Sequence, residues 1–132
     1  MSDATDIDFP ADFGHIDVCH VTTFGRRTGR RHRIEIWFGV CDGVMYLISG
    51  NGPGADWFLN LQAHPDVIVE LGDQVRRGQA RVVVEEGERH LVGDVMGSKH
   101  SQWGGDPDIG LTFEAWCYDV PAAAIEKWRS LD

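Results

Sequence analysis

The sequence predicts a mainly β domain, an antiparallel sheet or small barrel with helices at its side, on three observations. Strand-like runs follow one another through short turns, in the manner of sequential hairpins. One turn, Asp42-Gly43, joins an alternating run to a second apolar run and has the composition of a two-residue hairpin. Two helical stretches are inserted among the strands without alternating with them, which argues against a doubly wound parallel sheet.

The first strand is expected over residues 15–23, rich in β-branched side chains and closed by Phe24-Gly25. Residues 33–40 alternate, with Ile34, Ile36, Phe38 and Val40 facing one way and Arg33, Glu35 and Trp37 the other. Residues 44–49 form the partner strand, and 50–55 a glycine-rich loop. Asp56 is placed to cap a helix from Trp57 to about His64, with Trp57, Phe58 and Leu61 inward and Pro65 as its stop. Two more strands, 67–71 and 79–84, meet at Gly72-Asp73. A second helix spans 86–99 on the stripe Leu91, Val92, Val95 and Met96. A loop at 104–107, a last strand over 112–120 and a short terminal helix over 122–131 complete the reading.

A chain of 132 residues, 42% apolar, suits one domain with one core. The expectation is a flexible acidic segment over 1–14 and a single domain over 15–132. No apolar run approaches a membrane span, and the acidic start is unlike a secretory signal. Cys19, Cys41 and Cys117 are odd in number and widely spaced, which suits free thiols in the cytoplasm. A formal net charge of −9 disfavours a nucleic-acid partner.

Against that acidity, five of the 12 Lys and Arg residues crowd into positions 26–33. Arg26, Arg27, Thr28 and Gly29 put two guanidiniums, a hydroxyl and backbone amides on one tight bend. Guanidiniums grip phosphate or carboxylate bidentately, at about 1.5–3 kcal/mol per charge-assisted bond. A solvated turn paired with some of the 21 acidic residues explains the composition equally well. The loop at Ser49, Gly50 and Asn51 runs toward a helix N-terminus, where free amides attract anions. With the Asp42-Gly43 turn at the far end, both loops are expected at one edge of the sheet, where a single ligand could touch both. Trp37 can stack on a ring or cap the core, and Asn60 can reach the same loop. No metal-ligand spacing, nucleophile elbow or phosphate loop ending in Gly-Lys-Ser/Thr is present, so chemistry is expected from a bound cofactor and no metal is expected.

Taken in order, Thr22-Thr23-x-Gly25-Arg26-Arg27-x-Gly29-Arg30, the strand ending Trp37-Phe38, Leu47-Ile48-Ser49, and Asp56-Trp57-x-x-Asn60-Leu61 with Pro65 and Val67 resemble the deazaflavin-dependent nitroreductase family. The resemblance covers about residues 18–84. It implies a split β-barrel of the FMN-binding split-barrel type and binding of coenzyme F420, an 8-hydroxy-5-deazaflavin with a phosphate and a polyglutamate tail. By position it implies cofactor contacts at Arg26, Arg27, Ser49 and Asn60, and the adjoining Thr28, Gly29, Trp37, Phe38, Gly50, Asn51 and Trp57 are expected beside them. Ser49 would be the catalytic residue, and Trp37, His100 and Trp103 would line the acceptor side. The implied reaction passes hydride to a small electron-poor acceptor, a nitroaromatic, quinone or enone. Two departures stand out. Gly50 replaces a lysine found in several members, and Lys99-His100-Ser101-Gln102-Trp103 lacks the family's substrate-side tyrosines. A non-catalytic barrel holding flavin mononucleotide, haem or a tetrapyrrole is the alternative reading, and both single chains and homodimers fit.

Overall fold

A computed structural model describes residues 9–131. Nine strands and three α-helices are present among them: β1 (Val18–Phe24), β2 (Arg31–Trp37), β3 (Gly39–Cys41), β4 (Val44–Ile48), α1 (Asp56–Ala63), β5 (Asp66–Leu71), β6 (Gln74–Val82), α2 (Glu86–Lys99), β7 (Gly105–Asp106), β8 (Leu111–Thr112), α3 (Phe113–Tyr118) and β9 (Ala122–Arg129). Seven strands form one antiparallel sheet in the order β2-β1-β5-β6-β9-β4-β3, and β7 and β8 form a small ribbon. The edge strands β2 and β3 are consecutive in the chain, separated by Phe38 alone. A sheet whose two edges are tied by one residue has to curl until they meet, and the result is a split barrel.

Two apolar layers follow from that curl. Inside it, Val21, Phe38, Met45, Leu47, Leu61, Val69 and Ile125 pack with Phe58. Outside it, α2 and α3 cover the sheet through Val92, Met96, Trp116 and Cys117, set against Tyr46, Ile48, Ala122 and Ala124. Gly93 makes the α2–α3 approach possible, because a Cβ there would run into the Tyr118 ring and lie 2.8 Å from the Cys117 carbonyl. Arg81 pairs with Glu88 and Glu126, and Tyr46 donates to Glu88 at 2.8 Å, which pins α2 to the sheet. No helix among the described residues is long and apolar enough to cross a membrane.

The Asp42-Gly43 turn forms as expected, with φ positive at both residues, and α2 spans the predicted residues. Several expectations need correction. The run 33–40 is two strands, broken where Phe38 turns into the core. Residues 112–120 are a short strand and a helix, because the Thr112 hydroxyl accepts from Ala115 N and starts α3. Residues 122–131 contain a strand: β9 lies between β6 and β4, and its first half, Ala122–Ile125, is buried on both faces. Strand β6 begins at Gln74, where its side chains are too polar to show a strand pattern. Of the segment 1–14, residues 1–8 lie outside the described residues. Phe9 is buried against Trp128, so residues 9–14 join the fold where a flexible segment was expected.

Candidate functional site

Two neighbouring concavities open along β2. The first, about 300 Å³, lies in the β1–β2 turn and is bordered by Arg26, Arg27, Thr28, Arg30, Asp56 and Asn60. The turn is held by Gly25 N on Arg30 O (2.8 Å) and Gly29 N on Gly25 O (2.8 Å), with Gly29 at φ +72° where other residues are strained. Thr28 Oγ accepts from Arg30 N at 3.2 Å.

Asn60 organises this pocket. It is 1% exposed, and its Oδ1 accepts from Arg26 N (3.2 Å) and Arg26 Nη1 (2.8 Å) while its amide donates to Thr23 Oγ1. Asp56, expected as the helix cap, is instead the first residue of α1; Ala55 is the cap position, and the Asp56 carboxylate sits 3.3 Å from Arg26 Nη2. The arginine cluster is therefore divided. Arg26 is tied to the protein, Arg33 is paired with Glu70, and Arg27 and Arg30 have no carboxylate partner among the described residues. Those two guanidiniums are free to take an outside anion.

The second concavity is a groove of two lobes, about 510 and 340 Å³, which share Glu35, Ile36, Ile48, Asn51, Trp103, Asp106 and Trp116. It exists because the barrel edges diverge. Among the described residues β2 pairs with β1 alone, so its outer edge is open. The β3–β4 pairing stops at Gly39↔Tyr46, which leaves Leu47 and Ile48 open on that side. Trp57 and Gly50 line the lobe nearer the arginine turn, and Trp37 lines the other. Along β2, His32 borders the first concavity and Ile34 the second, so the two form one continuous path.

An aromatic cluster walls the far end. Trp37 stacks on His100 (4.8 Å, 9°) and meets Trp103 and Trp116 edge-on. Helix α3 carries Trp116, and Arg89 fixes that helix by donating to Cys117 O (2.5 Å) and Val120 O (2.7 Å), carbonyls its C-terminus would otherwise leave unpaired. Trp116, Leu111 and Asp106 were not among the expected site residues. They come from a stretch whose secondary structure the sequence obscures.

Of the expected residues, Arg26, Arg27, Thr28 and Asn60 border the first concavity, and Trp37, Gly50, Asn51, Trp57 and Trp103 the groove. Gly29 shapes the turn without lining it. Three others are placed differently from expectation. Phe38 is 0% exposed and belongs to the core, because its strand breaks there. His100 is 6% exposed; its Nε2 donates to Phe38 O at 3.0 Å, burial pushes its pKa below the usual imidazole value, and it backs Trp37 without reaching the groove. Ser49 is 1% exposed, and its hydroxyl donates to Gly52 O at 2.6 Å, closing the 49–52 turn.

Comparison with known proteins follows the same lines. A family model described as F420H(2)-dependent quinone reductase matches residues 3–109. Among solved structures, the fold is similar to a conserved hypothetical protein, Rv2991, of Mycobacterium tuberculosis (22% identity, 98% of this chain and 81% of that one, TM-score 0.70). It is also similar to an F420-H2 dependent reductase, FDR-A (20% identity, 84% and 95% covered, TM-score 0.63), and to an F420 reductase (15% identity, 86% and 88% covered, TM-score 0.62).

Proposed function

The chain belongs to the F420H(2)-dependent quinone reductase family, and on that premise we propose that it reduces a small planar quinone or similarly electron-poor acceptor bound against the tryptophans of the groove. Coenzyme F420 is its cofactor and the protein is an F420H2-dependent reductase; the alternative of a non-catalytic flavin or haem carrier falls away. The observation that carries the acceptor reading is the lining and setting of the groove: walled by Trp37, Trp57, Trp103 and Trp116, bordered by the open edge of β2, and next along that strand to the arginine turn.

The residues present fit the cofactor. Arg27 and Arg30, with the amides of the bend, would hold the phosphate or the glutamate tail, and Arg26, braced by Asn60 and Asp56, would fix the angle of that grip. The open edge of β2 offers backbone groups to the polar rim of a ring, with Trp57 and Gly50 close by. When bound, the reduced deazaflavin supplies a hydride to the acceptor. Trp37, Trp103 and Trp116 orient a flat acceptor and keep water from it, and their rigidity matters because transfer is sensitive to shifts of about 1 Å. Ser49 holds the 49–52 turn that carries Gly50 and Asn51, and so acts on the site through the backbone. Three free thiols suit a reducing compartment, and this favours a cytoplasmic setting.

Oxidation of F420H2, followed by its absorbance, with naphthoquinone, a nitroaromatic and a cyclic enone in turn, tests this reading. Turnover of the quinone, lost in Trp116→Ala together with quinone affinity, is the expected result. Turnover that survives loss of the groove tryptophans would overturn it.

A further inference from the structure

We propose that Glu35 and Asp106 act as a charge filter, admitting neutral or cationic planar acceptors to the groove and turning anionic ones away; this rests on the reductase reading above. Both carboxylates border both lobes, and no Lys or Arg lines either lobe among the described residues. The remaining walls are mostly apolar or aromatic, so the carboxylates set the sign of the groove's field, moderated at Glu35 by the solvent it faces.

Each acid is held in place. Asp106 Oδ1 accepts from Asp108 N at 3.1 Å, where β7 passes into a short 3-10 turn. Glu35 is fixed on β2 and has His20 Nε2 3.3 Å from its Oε1. Arg33, the nearest arginine to Glu35, is engaged by Glu70, and Arg26, Arg27 and Arg30 are gathered at the arginine turn. The path along β2 is thus polarised from end to end, basic where a polyanionic tail is held and acidic where the acceptor arrives. An anionic acceptor meets like charge at the groove. A cationic one gains from both carboxylates and from the tryptophan faces.

The test uses the full chain with F420H2 and a matched pair, 1,4-naphthoquinone and its 2-sulfonate. The sulfonate withdraws electrons, so chemistry alone favours the anionic partner, and discrimination against it comes from charge. We expect kcat/KM for the neutral quinone to exceed that for the sulfonate at least tenfold. The double variant Glu35→Gln, Asp106→Asn should shrink that ratio about tenfold, roughly threefold to fivefold per carboxylate. Raising salt from about 20 to 500 mM should narrow the ratio in the unaltered protein and leave it nearly flat in the variant. Equal use of both quinones by the unaltered protein, or an unchanged ratio in the variant, overturns the filter. Tryptophan fluorescence quenching by the same pair reads the filter without turnover. If neither quinone oxidises F420H2, the reductase reading fails, and the ratio of the two dissociation constants still decides the filter.

Discussion

The arginine turn and the aromatic groove are neighbours on one strand, yet they are built in opposite ways. The turn is local: six successive residues, two glycines and one helix behind it. Its arginines are exposed, so the charge they carry is mostly solvated. The groove is assembled from β2, the 48–51 loop and the 103–116 segment, and its walls are also the outer layer of the core. A turn of this kind can lose its ligand and keep its fold. In the groove, the residues that shape the site also hold the protein together.

Substitutions can break or sharpen that contrast. Trp116 is 5% exposed and touches Trp37, Trp103 and Phe113, so Trp116→Ala should cost about 3–5 kcal/mol in urea denaturation, with quinone binding lost as well. The Arg26→Ala, Arg27→Ala double variant should weaken F420 binding about 100-fold in a fluorescence titration, while stability falls by about 1 kcal/mol. A double variant as unstable as the tryptophan variant would erase the distinction. Asn60→Ala lies between the two. It strips buried partners from Arg26 and Thr23, and it should cost about 1–3 kcal/mol of stability and about tenfold in F420 affinity, both from one site.

Smaller effects sharpen the picture further. Lys99 contrasts with the arginines, being a cation folded inward with no hydrogen-bond partner among the described residues and its Nζ 3.5 Å over the Phe38 ring. Burial pushes its pKa from 10.5 down to about 8. The unfolded chain therefore holds that proton more tightly, and stability rises with pH between about 8 and 10.5. Lys99→Met should be more stable than the parent at pH 7 by about 1 kcal/mol, a figure discounted because the side chain is only half-buried. In thermal melts the gain should shrink through that window. Ser49→Ala, which deletes one donor within a turn, should cost about 1 kcal/mol of stability and change kcat less than threefold.

The same contrast explains what the sequence makes legible. Five arginines in eight positions are visible in any reading, and Gly25 and Gly29 mark the bend that presents them. The Asp42-Gly43 turn and the α2 stripe announce themselves through local chemistry. The far wall of the groove does not. Ala122, Ala123 and Ala124 suggest a helix, because alanine favours helices where no packing intervenes; here Ala123 packs in the inner apolar layer and Ala122 and Ala124 in the outer one, which makes the segment a buried strand. Trp116 and Tyr118 suggest a strand by β propensity, yet Thr112 caps a helix and Arg89, far off in sequence, closes its other end. Asn60 reads as an ordinary exposed helix residue until the turn folds over it. Each miss concerns a residue whose environment is supplied by a distant part of the chain.

The unpaired margin of β2 has a consequence for the protein's behaviour in a crowded solution. A bare strand margin is a template on which another chain can zip, and such association is a recognised route to aggregates. Arg31, Arg33 and Glu35 stud it with charge at every second position, which discourages a second strand from docking. A ligand seated along that margin would shield it as well, and would then slow association of the protein with itself.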